Sequence, residues 1–468
     1  MVQSFHEKHP QISVKGLTIS VNKNSTTTNR KSPPKVDIIN TSDNLTSQAG
    51  LVPIVHFLDK LDFIGLTKQI LNLQRAQQAT YQFSDTIYLA VIAILGGATS
   101  ILAIPVVWAD KVLQELAGVE NVPDQSILNR IFHLFTFAMV SSLEVLNHRM
   151  RERAWKKAFP NETDCPWATS DMWIDADSTV KTVFGSQEGA EKGYNPHKRG
   201  AKSYHPLLAF CATTKEILQG WFRCGSAYTS NGMVEFLQQL FVQLPAKVRI
   251  VLRCDSGYFD GAILDYLESR GNGFLIKIKM KNLKALLSSK DWATLPKQVG
   301  WESCEFLYAC GGWKKERRFV AVRRETKEEK ADGQLKLFES KTYDYFCYVV
   351  SEALSPWETH KKYGERATCE TWIDEAKNQM GLANIKTSEF WANSALFQCA
   401  VLAYNTVCWM RICSGNATLK QWEVKTIRTF LIRVAGKLVK GGRQYTLKTP
   451  ATHLFMGQWE AWVKLGMP

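Results

Sequence analysis

Hydrophobic and polar positions change their rhythm several times along the chain. Large apolar side chains are almost missing from 22–34, and residues 1–50, rich in Ser, Thr, Asn and Lys, read as a flexible segment. Over 51–165 apolar residues recur at helical spacing. Pro123-Asp124-Gln125-Ser126 stands as a helix start ahead of Ile127-Leu128 and Ile131-Phe132, with Arg130 on the outer side. From 166 the period shortens. Met172-Trp173-Ile174-Asp175-Ala176-Asp177, 207–213, 248–254 and 274–278 read as strands, while 233–244 and 263–270 read as helices. Strands alternating with helices predict an α/β sheet over 166–280. Strand-like runs at 305–308, 317–322 and 343–350, joined by charged connections, predict a β-rich insertion over 281–350. Helical periodicity returns over 351–412, most regularly from Tyr363, and the basic region 413–468 is predicted to be helical in its first half.

The uncharged stretch 87–109 has the length of a membrane span. Gly96-Gly97 and Pro105 interrupt it, and Asp85 and Asp110 flank it without positive bias, so two short buried helices are expected and no membrane partner.

With 468 residues, 45% of them apolar, the chain can bury a large core built from several modules. Its net charge of +14 points to a polyanionic partner. The helical region 51–165 is therefore expected either to bind a DNA end or to pack as a plain bundle. The 11 cysteines form no CxxC pair, and Met1 opens a polar stretch without a secretory pattern, so free thiols in a cytoplasmic setting are expected, and no zinc site. His197, His205 and His360 are expected at the surface or in ordinary hydrogen bonds.

Three carboxylate sites carry the candidate chemistry. Asp175 and Asp177 close one apolar strand, and Asp255, followed by Ser256-Gly257-Tyr258, closes another. Ligands of open α/β sheets gather at such carboxyl ends, although an aspartate after a strand is also common in plain turns. On a helix, Tyr363, Arg366, Glu370 and Lys377 would share one face, placing a cation on either side of Glu370. That arrangement keeps a carboxylate ionised, as a metal ligand requires, and it is also what ordinary i,i+4 pairing produces. Asp, Asp and Glu on a basic chain suit two-metal phosphodiester chemistry with Mg2+, for which Mn2+ can substitute.

These residues resemble a known family. Tyr363-x2-Arg366-x3-Glu370-x6-Lys377 is similar to the YREK signature of DDE transposases of the bacterial insertion-sequence family-four group. Asp255-Ser256-Gly257-Tyr258 and Asp177-Ser178-Thr179 resemble its second- and first-aspartate motifs. The runs at 185–206 and 388–398 resemble the 1380-type branch. The resemblance implies an RNase H-like core, split into 166–280 and 351–412 by the insertion. It implies Asp177, Asp255 and Glu370 as ligands of two metal ions, with Asp175 as the alternative first ligand. It further implies that Tyr363, Arg366 and Lys377 position DNA at the cleaved phosphate, and that the enzyme cuts and joins insertion-sequence ends.

The partners implied are double-stranded DNA at terminal inverted repeats, target DNA and a second copy of the chain on paired ends, in a bacterial, nucleoid-associated setting. Lys198, Arg199 and Lys202, shortly after the first carboxylate, are expected to hold phosphate. Relatives in the wider group hold a flipped base with an aromatic residue of the insertion. Trp301 and Trp313 are the candidates here, Trp313 at an exposed turn, with closure of a small β core as the other reading of either. The seven basic residues from Lys425 to Lys448 are expected on an amphipathic helix docked on the core. A transposase that has lost cleavage but still binds DNA, and a structure-specific nuclease of the same core, are the alternative functions.

Overall fold

The computed structural model describes residues 37, 40, 44–326 and 342–467, apart from 73, 74, 77, 197, 229, 385, 386 and 443. The flexible reading of the N-terminal segment therefore falls almost wholly outside the described residues, as do His197 and Arg443. From Asp43 onward the chain forms one compact unit.

Its centre is a nine-stranded mixed sheet. In chain order its strands are β1 (Met172–Ser178), β2 (Leu207–Cys211), β3 (Ile217–Trp221), β4 (Ile250–Cys254), β5 (Gly273–Lys277), β6 (Ala293–Thr294), β7 (Trp301–Tyr308), β8 (Arg317–Thr326) and β9 (Thr342–Val350). Across the sheet they run β6-β7-β8-β9-β5-β4-β1-β2-β3. β1, β4 and β5 are mutually parallel, whereas β2 runs antiparallel to β1 and β3 to β2. The β-rich region is no detached module, because β9 pairs antiparallel with β5 and extends the same sheet.

Side-chain alternation explains how both faces are covered. Leu207, Ala209 and Cys211 join Met172, Ile174, Ala176, Leu252 and Cys254 in a core beneath helices α3 (Met233–Val242) and α4 (Gly261–Ser269), whose ranges close to those expected reflect their strong apolar periodicity. Leu208, Phe210 and Ile217 point the other way, into a second core. That core gathers the helical region 51–165 around the 24-residue helix α7 (Phe390–Cys413), buried over most of its length. Among the described residues α7 is the one single helix long and apolar enough to cross a membrane, and protein already surrounds it.

The uncharged stretch does break. Helix α1 (Phe83–Gly96) ends at Gly97, whose φ of +108° suits glycine, and a short helix, Ala103–Val107, follows. Helix α2 (Phe137–Ala158) packs along α7. There burial lifts the Glu144 carboxyl to about 8. A carboxyl raised on folding contributes stability that is complete below its unfolded value near 4.5 and is lost as pH rises through about 8. Glu144→Gln should accordingly match wild type at pH 4 and exceed it at pH 8 by more than about 1 kcal/mol, read by urea titration. Equal stabilities at pH 8 would remove the argument.

The basic tail departs from the helical expectation. A short helix, Val424–Ile427, leads into a π-turn, Arg428–Ile432, and the chain then folds into a hairpin of Gly436–Gly441 with Gln444–Lys448. The apolar spacing of Leu431, Val434 and Leu438 imitates a helix, but Gly442, at φ +60°, follows the paired Gly441 at the hairpin turn and favours strand pairing. Arg428 does not face outward. It is largely buried and donates to the carbonyls of Ile94 and Leu95, capping the negative end of α1.

Candidate active site

The parallel register of β1 and β4 sets Asp175 opposite Arg253 and Ala176 opposite Cys254. One step further, Asp177 and Asp255 leave neighbouring strand ends side by side. Trp173, Asp175 and Asp177 share one face of β1, opposite the core residues Ile174 and Ala176. The two aspartates on that face differ in what they touch. Asp175 is fully buried and forms a two-pronged ion pair with Arg253, Nε to Oδ1 at 2.6 Å and Nη2 to Oδ2 at 2.8 Å. Asp177 sits at the rim, where Arg366 Nη2 donates to its Oδ2 at 2.5 Å. Burial lifts the Asp177 carboxyl to about 6, with Asp255 adding to the rise and Arg366 and the Ser178 N–H opposing it. Asp255 caps the turn Ser256–Tyr258 by accepting from the Gly257 N–H at 2.9 Å, a geometry that fixes its direction at the strand end.

The third motif differs from the single helix expected. Helix α5 (Pro356–Gly364), opened by a Ser355/Glu358 capping box, gives way to a tight turn at Glu365-Arg366. Helix α6 (Ala367–Asp374) follows, and a π-turn, Glu375–Gln379, ends the run. The physical cause of the first break is visible. In a regular helix the Arg366 N–H would bond to the carbonyl of Lys362. Here Arg253 Nη1 takes that carbonyl, and the Arg366 N–H turns to Tyr363 at 2.9 Å.

Arg366 and Lys377 reach the end of β1, whereas Glu370 meets it only through Arg366. Arg366 is buried and spans two acids, with Nη1 lying 3.7 Å from Glu370 Oε1 while Nη2 holds Asp177. Glu370 itself is 70% exposed. Lys377 reaches Thr179 Oγ1 at 3.1 Å and the Val180 carbonyl at 3.2 Å, just past Asp177, and burial lowers its ammonium below the usual range. Tyr363 stacks on Tyr348 at 4.7 Å, and burial raises its phenol to about 12, so its hydroxyl stays a proton donor at neutral pH. Among the described residues no three acidic, His or Cys side chains are already gathered as a metal cage. The donor chemistry at the two strand ends still suits Mg2+, which takes one or two carboxylates and completes its shell with phosphate oxygens and water.

Around this centre the structure adds residues that the sequence reading did not single out. Arg253 and Glu365 form the contacts behind Asp175, and His205 joins the Ser178 hydroxyl (3.0 Å) to the Ala227 carbonyl (2.6 Å). A usable signal existed for Arg253: a cation inside an apolar, fully buried strand must have an acidic partner. The basic loop holds three short strands, Lys181–Thr182, Glu191–Lys192 and Lys202–Tyr204, which set Lys192 opposite Lys202. Lys198, Arg199 and Lys202 are exposed, and Lys198 lies over the ring of Phe184 at 4.8 Å. Trp313 is half-buried against Phe259, with Arg317 over its ring at 4.6 Å, and Trp301 packs on Trp357 and His360. Trp313 thus lies at the margin of the core under the extended sheet, and Trp301 packs between the sheet and α5.

A mixed α/β sheet with two aspartates at adjoining strand ends and a family match over most of the chain make this a transposase of the DDE class. The chain belongs to the transposase DDE domain group 1 family, whose model matches residues 28–458. No curated protein matches it. A cryo-EM structure of the piggyBac transposase synaptic complex with hairpin DNA is similar over 81% of this chain and 78% of its own, at 14% identity and a TM-score of 0.42.

Proposed function

We propose that this transposase cleaves and rejoins DNA at the ends of a bacterial insertion sequence of the YREK type, through divalent-metal phosphodiester chemistry. The observation that carries the proposal is the convergence of Asp177 and Asp255 on neighbouring strand ends with Arg366 of the third motif bonded between Asp177 and Glu370. The strand order β3-β2-β1-β4-β5, with β2 alone antiparallel to β1, β4 and β5 among the central four, supports an RNase H-like core.

Asp177, Asp255 and Glu370 would hold two Mg2+ or Mn2+ ions. Such a pair, when bound, supplies activation of the attacking hydroxyl and stabilisation of the leaving oxygen in an in-line displacement. Asp175 is the weaker candidate for first ligand, because both its oxygens are engaged by Arg253. Arg366, buried against Asp177, and Lys377, half-buried just past it, are the cations that orient the scissile phosphate, and Tyr363 donates a hydrogen bond from a ring packed on Tyr348. Paired ends require two catalytic centres, so the working form is a dimer on DNA. The test is cleavage of a labelled duplex carrying the element's terminal repeat, with Mg2+ or Mn2+ and with chelator. Metal-dependent nicking at the repeat boundary is expected, and cleavage indifferent to chelator would end the proposal.

Lys198, Arg199 and Lys202 extend the rim as a phosphate grip. Replacing all three by Ala should weaken specific and non-specific duplexes alike. It should flatten the slope of log affinity against log salt by about 2 to 3, since each phosphate contact contributes roughly 0.9. Anisotropy titrations across salt concentrations measure both, and an unchanged slope would place the DNA elsewhere.

A further inference from the structure

We propose that Arg253 is the positioning residue that sets the third carboxylate against the first two, with Asp175 and Glu365 as its anchors. The inference rests on the two-metal reading above and adds a residue to it.

Arg253 is 1% exposed, and its guanidinium joins β1 to the end of α5 and to the turn that precedes α6. On β1 it grips Asp175, two positions before Asp177 and on the same face. Its own strand carries it two positions before Asp255, and the register places Asp175 and Arg253 directly opposite one another. A one-residue slip of β1 against β4 would break both prongs of the pair, so the pair holds Asp177 beside Asp255. From the same guanidinium, Nη1 reaches the Lys362 carbonyl and Glu365 Oε2, the latter at 3.3 Å. This contact replaces the helical bond that Arg366 would otherwise make, and it creates the turn after which α6 begins. The direction in which α6 leaves the sheet, and with it the reach of Arg366 and Glu370, therefore follows from Arg253. Trp173, with its ring centre 5.5 Å from the guanidinium carbon, walls the group on a further side.

A planar fork is needed for this. Lys can keep the charge beside Asp175, but one ammonium cannot hold two carboxylate oxygens and a helix carbonyl in a fixed geometry. Arg253→Lys should raise the Mn2+ concentration for half-maximal cleavage about tenfold, within the range typical for groups that orient metal ligands, and leave affinity for terminal-repeat DNA within twofold. Mn2+ binding to the DNA-free protein, counted by the loss of the free-ion electron paramagnetic resonance signal, should weaken in parallel. Glu365→Gln removes only a half-exposed anchor, so it leaves the fold intact whatever the fate of Arg253→Lys. It should shift both metal curves two- to threefold in the same direction. Glu365→Gln with wild-type Mn2+ binding and cleavage curves would overturn the proposal, as would a folded Arg253→Lys with unchanged curves. The underlying two-metal reading fails separately, by wild-type protein that cuts without metal or by a fully active Glu370→Gln.

Discussion

Asp177→Asn, Asp255→Asn and Glu370→Gln should each lower metal-dependent cleavage of terminal-repeat DNA by at least about a thousandfold, a loss of the size expected when one member of a unit that acts together is removed. Each substitution keeps the side-chain shape and removes the charge a hard cation requires. Binding of the repeat should persist, because the cations Arg366, Lys377, Lys198, Arg199 and Lys202 remain. In the free protein Asp177→Asn takes the charged partner from the buried Arg366, a cost to folding on which the titration of Asp177 imposes a pH dependence. Its carboxyl is raised to about 6, so the stability it contributes is present below about 4 and lost as pH climbs through 6. Wild type should therefore fall relative to the Asn variant across that window, and a thermal scan at pH 4 and pH 7 reads the difference. Asp175→Asn separates the two aspartates of β1. It strips the partner from a buried guanidinium, so its first effect should be on folding. A well-folded Asp175→Asn without cleavage, together with an active Asp177→Asn, would exchange their assignments. A Glu370→Gln enzyme cutting like wild type would remove the late helix from the chemistry.

Much of the central sheet was legible because its residues obey one rule at a time. The runs ending at Asp177 and Asp255 are apolar, β-rich and closed by acids, and they form β1 and β4 at nearly the expected bounds. β3 escaped notice for a physical reason. Gln219 sits inside a buried strand because its amide donates to the Phe236 carbonyl at 3.2 Å, and Gly220 leaves room where the side chains of Leu208 and Phe397 pack close. Neither partner is visible in a five-residue window. The signature helix was legible in composition but not in shape. Nothing local to 363–377 announces that a guanidinium 109 positions earlier takes the Lys362 carbonyl and breaks the ladder. Trp313 shows the same limit from the other side. Its Gly-Gly and Lys-Lys neighbours do form an exposed turn, while Phe259 from a distant segment and Arg317 from the next strand pack on a ring that stays half-buried.

The second large effect lies at the far end of the signature helix. Glu375, 5% exposed, begins the π-turn and accepts from Arg411 Nη2 at 3.2 Å and from the Val424 N–H at 3.2 Å. Arg411 belongs to α7, the buried axis of the protein, so this pair ties the end of the signature run to the core. Arg411→Met would leave a carboxylate in the interior without its cation, a change that costs about 3–5 kcal/mol. Replacing both partners, Arg411→Met with Glu375→Leu, removes the stranded charge and should restore most of that stability, since a well-packed apolar pair is often as stable as a buried ion pair. Cleavage need not return with it. The π-turn widens the helix by one residue at the point that sends Lys377 toward Thr179 and Val180. Without the Glu375 anchor a regular helix would turn that ammonium by about 100°. Denaturant titration of the single and double variants measures the first effect, and cleavage at a temperature where both are folded measures the second. A double variant that is stable yet slow would assign the ion pair to placement of Lys377. One that is stable and fully active would show that the pair serves only to fill the core.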